Sequence, residues 1–208
     1  MSQLRTGVCR LCRRAGMKLF LKGRRCNTDK CAVDKRPYPP GQHGKRRIRH
    51  SDYGIRLKEK QKVKNIYGIS ERRMKKYYQV AAKTKGVTGS IMLQLLERRL
   101  DNVVFRSNFA LSRSQARELV NHGHIYLNGR RVNIPSCTVS IDDVITVKKR
   151  EASRKIIKAN EEMAEDRLIP SWLEVSKGKL EVRVESLPVR EDIVVPIEEQ
   201  FIVEFYSR

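Results

Sequence analysis

LSRSQARELVNHGHIYLNGRRVNIPSCTVSIDDVITVKKR, residues 111–150, is the stretch whose patterning decides the fold. Ser112 with Gln115 three residues on has the spacing of a capping box, in which a hydroxyl and an amide satisfy the free backbone groups at a helix start. Ala116, Leu119 and Val120 then recur on one helical face, and Gly123 stops the run. In HIYLNGRRVNI two short segments flank Asn128-Gly129, the pair that best tolerates the positive φ angles of a two-residue hairpin turn. Pro135 interrupts, Asp142-Asp143 makes a turn, and VITVKK reads as a further strand. Helix, hairpin and strand in this order describe an α+β module with a small antiparallel sheet.

Upstream, the periodicity is helical. SDYGIRLKEKQKVKNIYGI starts near Ser51, places Tyr53, Leu57, Val63 and Ile66 toward one face, and breaks at Gly68. Ser70 caps a second helix, SERRMKKYYQVAAKTKG, with Met74, Tyr77, Tyr78 and Ala81 inward and Gly86 at its end. SIMLQLLERRLDNVVFRSN is a third apolar run, with Ile91, Leu95, Leu96, Leu100, Val103 and Val104 on a buried face and a bend near Asp101. Downstream, residues 151–166 read as a helix carrying Ile156, Ile157 and Met163. WLEVSKGKLEVRVESLP alternates on both sides of Lys177-Gly178 and predicts a second hairpin. After Pro196, Ile197, Phe201, Ile202 and Phe205 recur at helical spacing behind Glu198 and Glu199, acids that suit a helix N-terminus.

The charge has a location. The 208 residues carry a net +22. Residues 1–86 hold 26 Lys/Arg against 5 Asp/Glu, residues 87–150 hold 10 against 5, and residues 151–208 hold 9 against 13. A field concentrated in the first two-fifths attracts polyanions, and nucleic acid fits it better than a lipid surface because the basic segments lack a bulky apolar face. The apolar share of 39% leaves room for a modest core. No run of about 18 apolar residues predicts a membrane span, and MSQLRTGVCR has no apolar stretch after its positive charges, so no secretory signal is expected. Intracellular thiols are then reduced, which argues against disulfides.

Four of the five cysteines fall within CRLCRRAGMKLFLKGRRCNTDKC, as Cys9, Cys12, Cys26 and Cys31. This C-x2-C-x13-C-x4-C spacing lets two pairs close a tetrahedral metal shell. Zinc leads, and an iron–sulfur cluster uses the same four sulfurs. The neighbouring cations Arg10, Arg13, Arg14, Arg24, Arg25 and Lys30 are expected to lower the thiol pKa values and offset the charge of four thiolates. Residues 1–44 otherwise read as an irregular basic segment that runs into KRPYPPGQHGKRRIRH, residues 35–50, whose prolines and glycines stop helix and strand alike. Such a segment is ordered by metal or by a partner. Cys137, alone in NIPSCTV, reads as a small packing residue.

SRSQARELVNHGHIYLNGRRVNIPSCTVSIDDVI is similar to the RNA-binding module shared by the small-subunit ribosomal protein S4 family, several RNA-modifying enzymes and tyrosyl-tRNA synthetases. The four-cysteine N-terminus, PPGQHG at 39–44, RRLDNVVFR at 98–106 and the EQFIVEFYSR end extend the resemblance to bacterial or organellar S4 proteins of the cysteine-bearing type, over all 208 residues. Cys137 departs from the pattern, where relatives carry other residues, often tyrosine. The resemblance implies a metal-pinned basic segment (residues 1–44), a helical domain (45–97) joined by a returning C-terminal helix (197–208), and the module with its sheet (98–196). It implies a monomer in the cytoplasmic ribosome that binds the 5′ domain of small-subunit ribosomal RNA early in assembly. Its neighbours would be other small-subunit proteins and the channel through which messenger RNA enters, with no membrane partner.

The expected RNA contacts follow by region. In the basic segment they are Arg10, Arg13, Arg14, Arg24, Arg25, Lys35 and Arg36, then Lys45, Arg46, Arg47 and Arg49, which match the family's channel-facing region. In the helical domain they are Arg56, Lys58, Lys62, Arg72, Arg73 and Lys76. In the module they are Arg113, Gln115, Arg117, His122, His124, Asn128, Arg130 and Arg131, on the polar face opposite Leu119, Val120, Ile125 and Leu127.

Two other function classes compete. Arg99-Leu100-Asp101 resembles the catalytic tripeptide of pseudouridine synthases, so the alternative is an RNA-modifying enzyme that uses the module for delivery. Against it, the tripeptide precedes the module, and the chain contains no P-loop, no H-E-x-x-H and no glycine-rich dinucleotide turn. His43, His50, His122 and His124 have no obvious Ser or Cys partner. The reading is therefore not an enzyme, and the tripeptide is a helix ion pair around a core leucine. A zinc-containing DNA regulator is weaker still, since one irregular metal loop offers no recognition helix.

Overall fold

Capping and turn chemistry account for most element boundaries in the computed structural model, which describes residues 7–46, 49, 51–164, 167–176, 178–193 and 195–207. The chain forms two units, residues 1–92 with 195–208, and residues 93–194. The boundary falls inside a helix.

The first unit starts with α1 (Val8–Ala15), a 3-10 turn at Gly23–Asn27 and the single-turn α2 (Ala32–Lys35). Here the structure corrects the expectation of an irregular segment: VCRLCRRA is helical, and Gly16 ends it in the left-handed conformation at φ 75°. Residues 37–46 contain neither helix nor strand. α3 (Asp52–Tyr67) opens on Ser51, whose hydroxyl accepts from the Gly54 N–H, and stops at Gly68, φ 58°. α4 (Glu71–Lys83) opens on Ser70, which accepts from Arg73 N. α9 (Glu199–Tyr206) packs on α3 and α4. Val63, Ile66, Tyr67, Met74, Ala81, Ile197 and Ile202 are buried in this unit. Tyr53, expected inward, is 55% exposed.

The apolar run 90–108 is two helices, not one bent helix. α5 (Thr88–Glu97) ends in a turn at Arg98, Arg99 is extended at φ −68° and ψ 136°, and α6 (Leu100–Arg106) begins with Asp101 in its first turn. The break is held from outside. Arg99 bridges Thr138, the Leu100 N–H donates to Cys137 O at 2.8 Å, and the Asp101 N–H donates to Pro135 O at 3.0 Å. Helix geometry is abandoned there because those N–H groups have better partners.

α7 (Arg113–Asn121) starts at Ser112, whose hydroxyl accepts from Gln115 N; the Gln115 side chain returns to accept from Leu111 N at 2.7 Å. β1 (Ile125–Leu127) and β2 (Arg130–Arg131) flank Asn128 and Gly129 at φ 49° and 74°, the two positive φ angles of a primed turn. β3 (Val144–Val147), α8 (Glu151–Met163), β4 (Leu173–Ser176) and β5 (Glu181–Val184) complete the unit. The two hairpins and the lone strand merge into one antiparallel sheet in the order β2-β1-β3-β5-β4, joined where Ile145 faces Val182. One core, from Leu100, Val104 and Phe109 through Val120, Ile145 and Ile157 to Trp172 and Val184, fills the unit.

Candidate nucleic-acid interface and metal centre

Cys9 and Cys12 stand three residues apart on α1 and so project from one side of it. Cys26 sits in the 3-10 turn, and Cys31 is the residue before α2, its N–H donating to Thr28 O at 2.9 Å. All four line a single cavity of about 10 Å³, together with Val8, Leu21, Ala32 and Val33 among others. Cys12, Cys26 and Cys31 are buried and Cys9 is partly so, and all four are free thiols. Among the described residues, no three or more His, Cys, Asp and Glu side chains are arranged as a ready metal-holding group.

The donor set nevertheless fits a soft cation in composition, since four cysteines line one small cavity. At Cys12 and Cys26 the thiol pKa is raised, not lowered as expected. Burial pushes the Cys12 thiol up, against a backbone hydrogen bond at Leu19, and Cys26, Cys9 and Cys31 push it further. Burial likewise raises Cys26, against a backbone hydrogen bond at Lys22. The physical reason is burial: Cys12 and Cys26 are buried while Arg10, Arg14, Arg24, Arg25 and Lys30 lie exposed.

The cations divide into exposed and committed. In the first unit Arg10, Arg14, Arg24, Arg25, Lys35, Arg36, Lys45, Arg46 and Arg49 are exposed, as are Arg72, Arg73 and Lys76 on α4, while Lys58 is partly so. Arg47 and His50 lie outside the described residues. Lys62 is a correction: it is 9% exposed, and its ammonium donates to Glu59 at 2.5 Å and to Pro196 O at 3.2 Å. Burial with both partners inside the unit takes it off the surface. Arg56 donates to Glu204 at 2.6 Å. Lys60, which the pattern did not single out, is 4% exposed, donates to Glu71 at 2.8 Å and lies 4.4 Å from the Phe205 ring centre. Burial works against the Glu71 carboxylate, yet hydrogen bonds from Lys60 and the Tyr206 hydroxyl hold its pKa below the usual range.

The module shows the same division. Arg113 Nε donates to Asn102 Oδ1 at 2.8 Å, and its guanidinium lies 4.4 Å from the Phe105 ring centre. Gln115 also donates to Asn160 Oδ1 at 3.1 Å. Arg117 donates to Asp101 Oδ2 from two nitrogens, at 3.0 and 2.7 Å. Asn128 closes its own turn, donating to Asp143 Oδ1 and accepting from Val144 N, both at 2.8 Å. His124 Nδ1 is 2.9 Å from Ser153 Oγ, and burial, followed by His122, Lys148 and Arg150, pushes its pKa down. Arg113, Gln115, Arg117 and His124 stay partly exposed, while His122, Arg130 and Arg131 are fully on the surface. Arg131 fixes the turn beneath it: a Cβ on Gly123, at φ 69°, would stand 2.2 Å from Arg131 Nε. Lys149 and Arg150 are exposed beside this face and were missed; the KKR run after VITV was the available signal.

The tripeptide Arg99-Leu100-Asp101 is buried structure. Leu100 has no exposure, Asp101 is 2% exposed, and its carboxylate takes Arg99 from one side and Arg117 from the other. A carboxylate buried at 2% exposure and shared by two guanidiniums is out of reach of a base. A second buried set, Glu97 with Asn102 and Arg106, lies alongside it in sequence. Among the described residues, no helix is long and apolar enough to cross a membrane.

Comparison with known proteins accounts for this architecture from end to end. Residues 3–97 match the ribosomal protein S4/S9 N-terminal domain, and residues 98–145 match the S4 domain. The small ribosomal subunit protein uS4 of Halothermothrix orenii is 55% identical over 208 residues, covering 100% of both chains. That of Geotalea daltonii is 57% identical over 202 residues, 96% of each chain, and that of Thermus thermophilus 53% over 202 residues, 97% of each. These relatives are ribosomal proteins, not enzymes. With a helical first unit, a module built on one antiparallel sheet and identity above one half along its whole length, the chain belongs to the ribosomal protein S4 family.

Proposed function

We propose that the chain is a structural component of the small ribosomal subunit, working in the cytoplasm, that binds the 5′ domain of small-subunit ribosomal RNA and helps nucleate its assembly. The full-length family relationship carries this reading. The distribution of exposed cations supports it: the N-terminal segment and α4 present arginines and lysines to solvent, and the module adds His122, Arg130 and Arg131. Folded RNA has an A-form major groove too deep for side chains, so recognition falls to phosphates, shape and unstacked bases. The exposed arginines supply phosphate contacts, and the committed ones hold the surfaces that carry them. Lys45, Arg46, Arg47 and Arg49 are assigned to the region facing the channel through which messenger RNA enters. Neighbouring small-subunit proteins are the other partners.

Zinc is assigned to Cys9, Cys12, Cys26 and Cys31. Its chemistry there is structural: four thiolates would hold one ion and fix α1, the 3-10 turn and α2 in place of a core. The cysteines, once deprotonated, orient the basic side chains between them. Metal analysis of the purified chain tests this, one zinc per chain without visible absorption being expected; iron with sulfide would assign a cluster instead.

The test of the RNA reading is a salt-titrated binding measurement. It compares the 5′ domain of small-subunit ribosomal RNA with an unrelated structured RNA of equal length. With roughly eight phosphates neutralised, affinity should fall about 10³–10⁵-fold between about 50 and 200 mM salt. Preference for the 5′ domain by more than about 30-fold, roughly 2 kcal/mol, marks specific recognition. Equal affinities with equal salt slopes would overturn the proposal.

A further inference from the structure

We propose that Arg13 is a positioning residue that joins the cysteine cluster to the basic loop of residues 37–46, so that the state of the four thiols sets how firmly that loop is presented to RNA. The inference rests on the zinc and RNA readings above. Arg13 follows Cys12 directly in α1, and Cys12 is 6% exposed against the shared cavity. The Arg13 guanidinium reaches the loop: Nε donates to Tyr38 O at 3.0 Å, and a terminal nitrogen donates to Pro39 O at 3.4 Å. Its carbon lies 5.0 Å from the Tyr38 ring centre, and the ammonium of Lys45 lies 5.5 Å from the same ring.

The loop depends on such a donor. Pro37, Pro39 and Pro40 bring no N–H groups, and residues 37–46 have no strand or helix to supply their hydrogen bonds. The chain folds back on itself through Gly44 N to Gly41 O at 3.3 Å and Arg46 N to His43 O at 3.0 Å. A Cβ on Gly44 would stand 2.0 Å from Pro39 O. Arg13 therefore grips the carbonyl around which the loop turns. A planar fork matches two successive carbonyls, which an ammonium does not. Lys45 and Arg46, both exposed, are what the loop delivers. Arg14, the next residue and also exposed, carries the same charge without the contact and is the internal control.

The experiment uses the full chain, zinc-loaded and after zinc removal, with hydrogen exchange read by segment and affinity read for the 5′ domain RNA. In the zinc-loaded chain, Arg13→Ala should speed exchange at residues 41–46 about tenfold while residues 8–35 stay protected, and should weaken RNA binding about tenfold. Arg13→Lys should speed the same exchange although the charge is kept. Arg14→Ala should leave exchange unchanged and weaken binding by only about two- to threefold, as one lost phosphate contact does. Removing zinc from the unaltered chain should open residues 41–46, and from Arg13→Ala should add nothing there. Unchanged loop exchange in Arg13→Ala, an affinity equal to that of Arg14→Ala, or a loop indifferent to zinc removal that opens residues 8–35 would each overturn the proposal. If zinc removal leaves residues 8–35 unaltered, the metal reading fails instead, and the comparison of Arg13→Ala with Arg14→Ala still decides whether Arg13 holds the loop.

Discussion

The cysteine segment and the sheet module solve the same problem with opposite means. The module buries a continuous apolar core with Trp172, Phe109 and Ile145 at under 2% exposure. Residues 8–46 bury little beyond Leu19 and three cysteines. In the module, arginines are drawn inward and spent on Asp101, Glu97 and Asn102. In the segment Arg10, Arg14, Arg24 and Arg25 remain outside, where no buried carboxylate draws them in. A core makes a rigid platform and commits some of its cations, whereas a segment with little core leaves nearly all of them exposed.

The sharpest way to break this contrast is to strand the module's buried charges. Asp101→Ala leaves Arg99 and Arg117 facing an empty site, and should destabilise the module by about 3–5 kcal/mol in a urea titration followed by Trp172 fluorescence. Cys12→Ser should act on the other region alone. RNA affinity should fall about a hundredfold, roughly 2.7 kcal/mol, through lost order in residues 8–46, while the Trp172 transition stays where it was. Gly123→Ala should cost about 1–2 kcal/mol, since it combines a positive φ with displacement of the Arg131 guanidinium. Arg130→Ala should be nearly silent in stability, within about 0.5 kcal/mol, and should lower the salt slope of RNA binding by about one.

The smallest expected effect is on pH. His124 is held below the ordinary histidine value of about 6.5 by burial and by the charges of His122, Lys148 and Arg150. An unfolded chain therefore binds a proton here before the folded one does, so this contribution to stability is present at neutral pH and is lost as pH falls through that value. His124→Gln should flatten this part of the stability profile. A profile unchanged by the substitution would place the proton uptake elsewhere.

Local chemistry was legible. Ser51, Ser70 and Ser112 cap the helices they announced, Asn128-Gly129 makes the hairpin, and Gly68 ends α3. The family resemblance was likewise legible in the motifs, and the comparisons establish it over the whole chain. What escaped depended on pairings far apart in sequence. Nothing near Arg117 announces Asp101, sixteen positions earlier, as its partner. Nothing near Lys62 points to Pro196, so a lysine in a basic helix read as a phosphate contact. The joining of two hairpins into one sheet rests on three residue pairs between β3 and β5. The break before α6 needs carbonyls supplied by residues 135–139. The thiols show another limit: neighbouring cations in sequence do not settle a pKa when the thiol is buried and they are exposed.

The strand order has a consequence for the time course of synthesis. β3 takes its second neighbour from residues 181–184, and α3 takes its packing partner from residues 199–206. During translation, then, the first unit waits for the final helix, and the half-built sheet keeps an open edge until β5 has emerged. An unpaired edge is a template for other chains. A nascent molecule with +21 in its first 86 residues is drawn toward RNA before either unit can close. The vulnerable interval is the one between the emergence of Val147 and that of Val184.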